Sequence, residues 1–182
     1  MHRNKLLSLL DNYTPSRDEA AFKALMIDFV QKYPTCFERS LELGHITGSC
    51  FLINRHNTHA LLTHHAKLDK WFQLGGHCDG ESDVLAVAIK EAQEESGIHE
   101  IRPVTDQIFD IDIHLIPSNK KEAAHFHFDV RFLLQVASDE EVVQSFESKE
   151  LKWIEKNLHV VPTDNPSVIR LFEKWIRTTL IN

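Results

Sequence analysis

Residues 75–98, GGHCDGESDVLAVAIKEAQEESGI, restrict this chain more than any other stretch. A glycine-rich turn opens the segment and Gly97 closes it. Between them the pattern predicts a helix that carries Glu91, Glu94 and Glu95 in its last turns. A helix advances about 100° per residue, so the three carboxylates fall within about one third of its circumference. Leu85, Ala88, Ile89 and Ala92 lie on the adjoining face and are expected to bury it. Like charges at this spacing destabilise a helix, and a chain that keeps them invites a bound cation. All-oxygen ligands favour Mg²⁺ or Mn²⁺, and an incomplete protein shell leaves room for phosphate oxygens and water. Read alone, the same residues also fit a solvated acidic helix face.

Composition narrows the classes. The chain has 182 residues, enough for one sizeable core, with 42% apolar and 26% charged residues. A net charge of -7 argues against a broad nucleic-acid surface, which needs clustered Lys and Arg. An acidic protein that handles phosphates generally does so through metal ions. Cys36, Cys50 and Cys78 form no C-x-x-C pair, so neither a disulfide scaffold nor a cysteine zinc site is expected. Reduced thiols in a cytoplasm are the plainer reading. The N-terminal MHRNKLLSLLDNY has too short an apolar run for a signal peptide, and no stretch approaches the ~18 apolar residues of a membrane span. A cytoplasmic protein is expected. Histidine is abundant, at 12 residues.

In chain order, Leu6, Leu7, Leu9 and Leu10 predict a short helix ending near Tyr13. Ser16 with Glu19 is a capping-box signature for a second helix, from Arg17 to about Lys32, with Phe22, Leu25, Met26 and Phe29 as its apolar stripe. These helices form an extension over 1–40 that caps the fold, joins its core or mediates a homodimer. Ile46 to His65 reads as a hairpin around the polar RHNTH, and Trp71-Phe72-Gln73-Leu74 enters the glycine turn. Strands are expected over Gln107–Ile116, His125–Val136 and Leu151–Ile154, with an acidic loop and short helix over Ser138–Ser148. Asn165-Pro166 starts a last helix, with Val168, Phe172, Trp175 and Ile176 on its apolar face. One domain is expected, with a core over 41–160 and a C-terminal helix over 161–182, of the α/β or α+β class.

The segment from Gly76 to Ile98 resembles the box of the Nudix hydrolase family, G-x5-E-x7-R-E-U-x-E-E-x-G-U, with Glu91, Glu94, Glu95, Gly97 and Ile98 in register. Three positions depart from it: the upstream Glu falls one residue early at Glu81, Lys90 replaces the Arg, and Ala92 is smaller than the usual bulky residue. Lys for Arg keeps the charge and loses the bidentate fork. The chain is also similar to a bacterial Nudix subgroup with three further motifs. They are Gly44-His45-Ile46-Thr47-Gly48-Ser49, Leu74-Gly75-Gly76-His77 and His125-Phe126-His127-Phe128-Asp129.

The resemblance implies a Nudix-like α/β/α sandwich with a mixed sheet between helices. It also implies metal-assisted hydrolysis of a small phosphoanhydride, either a nucleoside diphosphate linked to another moiety or a nucleotide. Glu91, Glu94 and Glu95 would be the catalytic Mg²⁺ or Mn²⁺ ligands, joined by the carbonyl of Gly75 or Gly76, and Glu147 or Glu150 could add a carboxylate. Period-2 alternation puts His125, His127 and Asp129 on one strand face, either toward a substrate or second metal or as structural hydrogen-bonding residues. His77, His125, His127 and Lys90 are the expected substrate contacts, and His64 and His65 could join them. Two alternatives stay open: a ligand-binding Nudix-fold module with little turnover, and an enzyme like the isopentenyl-diphosphate isomerases, with a histidine-plus-carboxylate metal centre.

Overall fold

The computed structural model describes residues 2–16, 19–66, 68–119, 122–137, 141–143 and 148–179. Its elements are α1 (Asn4–Asn12), α2 (Ala20–Lys32), β1 (Gly44–Ile53), β2 (His59–His65), β3 (Lys70–Phe72), β4 (Leu74–His77) and α3 (Val84–Ser96). There follow β5 (Ile101–Pro103), β6 (Asp110–Ile116), β7 (His125–Val136), β8 (Ser148–Glu155), a 3₁₀ turn at Leu158–Val160 and α4 (Pro166–Arg177). Eight strands form one sheet in the order β3-β2-β1-β7-β5, with β4 on β1, β6 on β7 and β8 on β2. The fold class is the expected α+β arrangement of helices and a curled mixed sheet. Two compact units divide it: residues 1–49, 75–88 and 105–132, and residues 50–74, 89–104 and 133–182.

In the first unit, β6 and β7 pair antiparallel from Asp110↔Arg131 to Ile116↔His125. Helix α2 lies on this pair through Phe29, whose ring stacks on Phe128 at 3.8 Å. Glu19, fully buried, accepts from the Tyr13 hydroxyl, from Ser16 N–H at 2.8 Å and from Ile111 N–H at 3.2 Å. The Ser16–Glu19 contact is the backbone half of the expected capping box, although α2 begins at Ala20 with Glu19 as its N-cap rather than at the expected Arg17, and the same carboxylate ties the N-terminal helices to β6. Arg3 donates to the carbonyls of Val30 and Gln31 at the end of α2, where a cation suits the helix dipole. Met26, Phe29 and Val30 are buried, whereas Leu25 is exposed. The stripe of α2 is thus rotated from the expected one, because contact with β6 and β7, not the sequence periodicity alone, selects the buried face.

In the second unit, β2 pairs with β8 along its whole length and with β3 beyond the hairpin. The expected hairpin forms, with Leu52↔Leu61 and Ile53↔Ala60 in register. The Asn165 side chain accepts from Ser167 N–H at 2.9 Å, with Pro166 opening α4 as its residue types predict. Phe51, Phe172 and Trp175 pack edge-to-face in the core of this unit. Leu171 takes the buried place expected for Ile176, which is exposed. Strand β5 has only three residues and had no period to reveal it. The short helix expected within Ser138–Ser148 falls largely outside the described residues.

Candidate functional site

Helix α3 starts where Asp83 accepts from Ala86 N–H at 3.3 Å, an N-cap contact. Glu81 accepts from Asp83 N–H at 2.8 Å, so the glutamate that falls one residue early is spent on the turn before the helix. Val84, Val87, Ala88 and Ala92 are buried, while Leu85 and Ile89 are half-buried. The packed face is therefore centred one residue away from the expected one, and the small Ala92 sits in its middle. At the other end Gly97 adopts φ +72°, and its N–H closes on the Gln93 carbonyl at 2.9 Å. A Cβ on Gly97 would lie 2.7 Å from Val143 Cβ, so this stop requires glycine for conformation and for space.

Within the second unit the three glutamates differ in exposure. Glu91 has 18% of its side chain exposed, Glu95 is half-buried and Glu94 is exposed. The ammonium of Lys90 lies 3.6 Å from Glu91 and 3.3 Å from Glu94, and both carboxylates raise its pKa, Glu94 foremost. One cation already bridges two of the three carboxylates, and the donor set is all oxygen. The residues present fit a hard divalent ion. Glu150 is exposed on β8, across from His64, and Glu147 lies outside the described residues. His64 stacks on Trp71 and binds Asp69 at 2.9 Å, while His65 accepts from Leu68 N–H, so both are occupied within their own hairpin.

A second constellation lies wholly in the first unit, where the three subgroup motifs meet. Strands β1 and β7 are neighbours, and the hydroxyls of Thr47 and Ser49 donate to Asp129 Oδ1 at 2.8 and 2.7 Å. Arg131, 2% exposed, donates from Nε to Asp129 at 2.7 Å, and from its two other nitrogens to Asp110 at 3.0 Å and Asp112 at 3.3 Å. Burial disfavours the charged guanidinium, but the three aspartates, Asp129 first, outweigh it and raise its pKa. Gly75 lets β4 approach β1: a Cβ there would lie 2.2 Å from Ser49 Oγ.

Two residues before or after these contacts stand histidines. The His45 ring lies 5.1 Å from His77, 5.1 Å from His125 and 4.8 Å from His127, and His77 is 5.0 Å from His127. His114 completes the group, 5.5 Å from His127. Burial pushes the pKa of His45 down to about 4 and that of His127 to about 2, and it lowers His77 as well; neighbouring rings add to the effect. The structure thus gathers the expected His77, His125 and His127 and adds His45 and His114. The sequence signal for His45 was its place in the Gly44–Ser49 motif, on a strand that the structure buries at all ten residues.

Comparison with known proteins identifies the family and the fold. Residues 45–175 match the family model of the NUDIX domain. No curated protein sequence matches the chain. Among solved structures it is similar to a C. elegans Ap4A hydrolase in a binary complex, at 18% identity and TM-score 0.57, covering 71% of this chain and 93% of that one. RenU, a Nudix hydrolase from M. smegmatis, matches at 18% identity and TM-score 0.56, over 76% of this chain and 91% of that one. The E. coli dihydroneopterin triphosphate pyrophosphohydrolase matches at 13% identity and TM-score 0.54, over 72% and 94%. The matched span holds α3 with its three glutamates and all three histidine-bearing motifs, and on that ground the chain belongs to the NUDIX family, a family of hydrolases acting on acid anhydrides.

Proposed function

We propose that the chain is a Mg²⁺- or Mn²⁺-dependent hydrolase of a small phosphoanhydride, either a nucleoside diphosphate linked to another moiety or a nucleotide. Glu91, Glu94 and Glu95 hold the ion in this reading, and the family pattern adds the carbonyl of Gly76. The observation that carries it is the Lys90 ammonium drawn between Glu91 and Glu94 on a helix anchored by its buried face. When bound, such an ion withdraws charge from phosphoryl oxygens and lowers the pKa of coordinated water. One of these glutamates, or a carboxylate outside the box, would take the proton of the attacking water, and Lys90 would offer a substrate phosphate an exposed positive charge. No described helix is long and apolar enough to cross a membrane.

The test is a screen of dinucleoside polyphosphates, nucleoside-diphosphate sugars and nucleoside triphosphates, with and without Mg²⁺, reading release of phosphate or nucleotide. Ap4A and dihydroneopterin triphosphate, named in two structural neighbours, belong in it. Glu94→Gln with Glu95→Gln should lower turnover by about 100-fold or more, since charged ligands set metal affinity. Undiminished activity in that double variant refutes the assignment. Tight binding without turnover would indicate a binding module instead. Proton exchange into an allylic diphosphate without phosphate release would indicate an isomerase.

A further inference from the structure

The geometry points to a second metal centre in this protein, formed by His45, His77 and His127 for a zinc-like transition-metal ion. Each of the three offers one ring nitrogen, and these atoms all lie within 4.8 Å of one another. Tetrahedral zinc with Zn–N bonds of about 2.0–2.1 Å needs nitrogens about 3.3 Å apart. To hold such an ion the nitrogens would have to approach by up to about 1.5 Å.

The independent observation is what these nitrogens lack. His45 is 2% exposed, and neither its Nδ1 nor its Nε2 has a hydrogen-bond partner among the described residues. The buried Nε2 of His127 is likewise bare. Leaving a buried polar atom unsatisfied is costly, and native proteins seldom do so without a reason. A bound cation would take one nitrogen from each ring, and so would partner one of the two on His45. Uncharged imidazole offers a lone pair, the form in which histidine ligates metal. The Arg39 guanidinium, whose charge reaches His45 and His77, is paired with Asp79.

The donor type sets the ion. Three imidazoles without a carboxylate among them suit zinc, cobalt, nickel or copper and do not suit Mg²⁺, which prefers oxygen. Three protein ligands leave a position open to water or to a ligand oxygen, the pattern of catalytic rather than structural zinc sites. His125 stands at the rim of the cluster. Its Nδ1 donates to the Ala123 carbonyl at 2.9 Å, since a carbonyl can only accept. A carbonyl that fixes the tautomer in this way is the usual support for a metal-ligating histidine. Beneath the rings, Arg131, Asp129, Thr47 and Ser49 lock β1 to β7 and hold His45 and His127 in place.

The experiment uses the full chain, stripped with a chelator and titrated with Zn²⁺ alone by calorimetry, with bound metal counted after equilibrium dialysis. Visible absorption on Co²⁺ loading reports nitrogen coordination. One tight ion per chain is expected, undisplaced by a large excess of Mg²⁺. Affinity should fall by at least about 100-fold in His45→Asn, His77→Gln and His127→Gln, beyond the 10–100-fold typical of losing an outer partner. It should persist in His56→Ala and His99→Ala, which remove exposed histidines. Absence of a tight ion, or equal affinity in the cluster variants and these controls, overturns the inference. Should the buried His45→Asn variant lose its cooperative melt, His77→Gln at a half-buried position decides. Binding is read without substrate, so failure here is distinct from failure of the hydrolase reading.

Discussion

Replacing Arg131 by methionine tests how far the fold rests on its buried ion cluster. The guanidinium is 2% exposed and reaches Asp129 at 2.7 Å, Asp110 at 3.0 Å and Asp112 at 3.3 Å, themselves 2%, 0% and 7% exposed. Methionine refills most of the volume, so the loss is one of charge and hydrogen bonds rather than a cavity. Removing one side of a buried ion pair costs about 3–5 kcal/mol, because the other side stays desolvated without its counter-charge. For a chain of this length each kcal/mol moves the melting temperature by about 2–4 °C, so a loss of about 4 kcal/mol lowers Tm by about 8–16 °C. Arg131→Lys should fall between wild type and Arg131→Met, since it keeps the charge and loses the fork. Adding Asp110→Asn to Arg131→Met should recover part of the loss, because one fewer buried charge is left unmatched. Calorimetric melts at fixed pH measure all four proteins. A fall of less than about 3 °C in Arg131→Met, or no recovery in the double variant, refutes the reasoning.

Gly97→Ala should cost about 1–3 kcal/mol, combining a left-handed backbone at φ +72° with a Cβ placed 2.7 Å from Val143 Cβ; a melt unchanged within about 1 °C would show that the helix stop adapts freely. The thiols should be silent in the native state. Burial pushes the Cys36 pKa up to about 11 and raises that of Cys78 as well, and Cys50 is fully buried. A disulfide reagent at pH 8 should therefore label three cysteines per chain only in denaturant, and rapid labelling of the folded protein would contradict the packing.

What the sequence revealed and what it hid divide along a physical line. Features set by neighbours within a few residues were legible: the Gly97 stop, the cap at Asn165, the half capping box at Ser16 and Glu19, and the hairpin around Asn57. Features set by which faces meet were not. Leu25 has the right spacing for the stripe of α2 and still points to solvent, because Phe29 rather than Leu25 meets Phe128. The histidine cluster shows the same limit. Alternation alone puts His125, His127 and Asp129 on one face of β7, and it equally puts His45, Thr47 and Ser49 on one face of β1. It does not say that these are neighbouring strands whose polar faces coincide.

Burial is what joins them. Strand β1 is buried at all ten positions, so its polar residues have no water to turn to and must find partners across the sheet. Thr47 and Ser49 find Asp129, and Asp129 finds Arg131. His45, on the same face, meets three other imidazoles, and neither of its ring nitrogens has a hydrogen-bond partner among the described residues. A polar network satisfied at one end and left bare at the other leaves its open end for something outside the chain. That open end is where three histidine nitrogens converge.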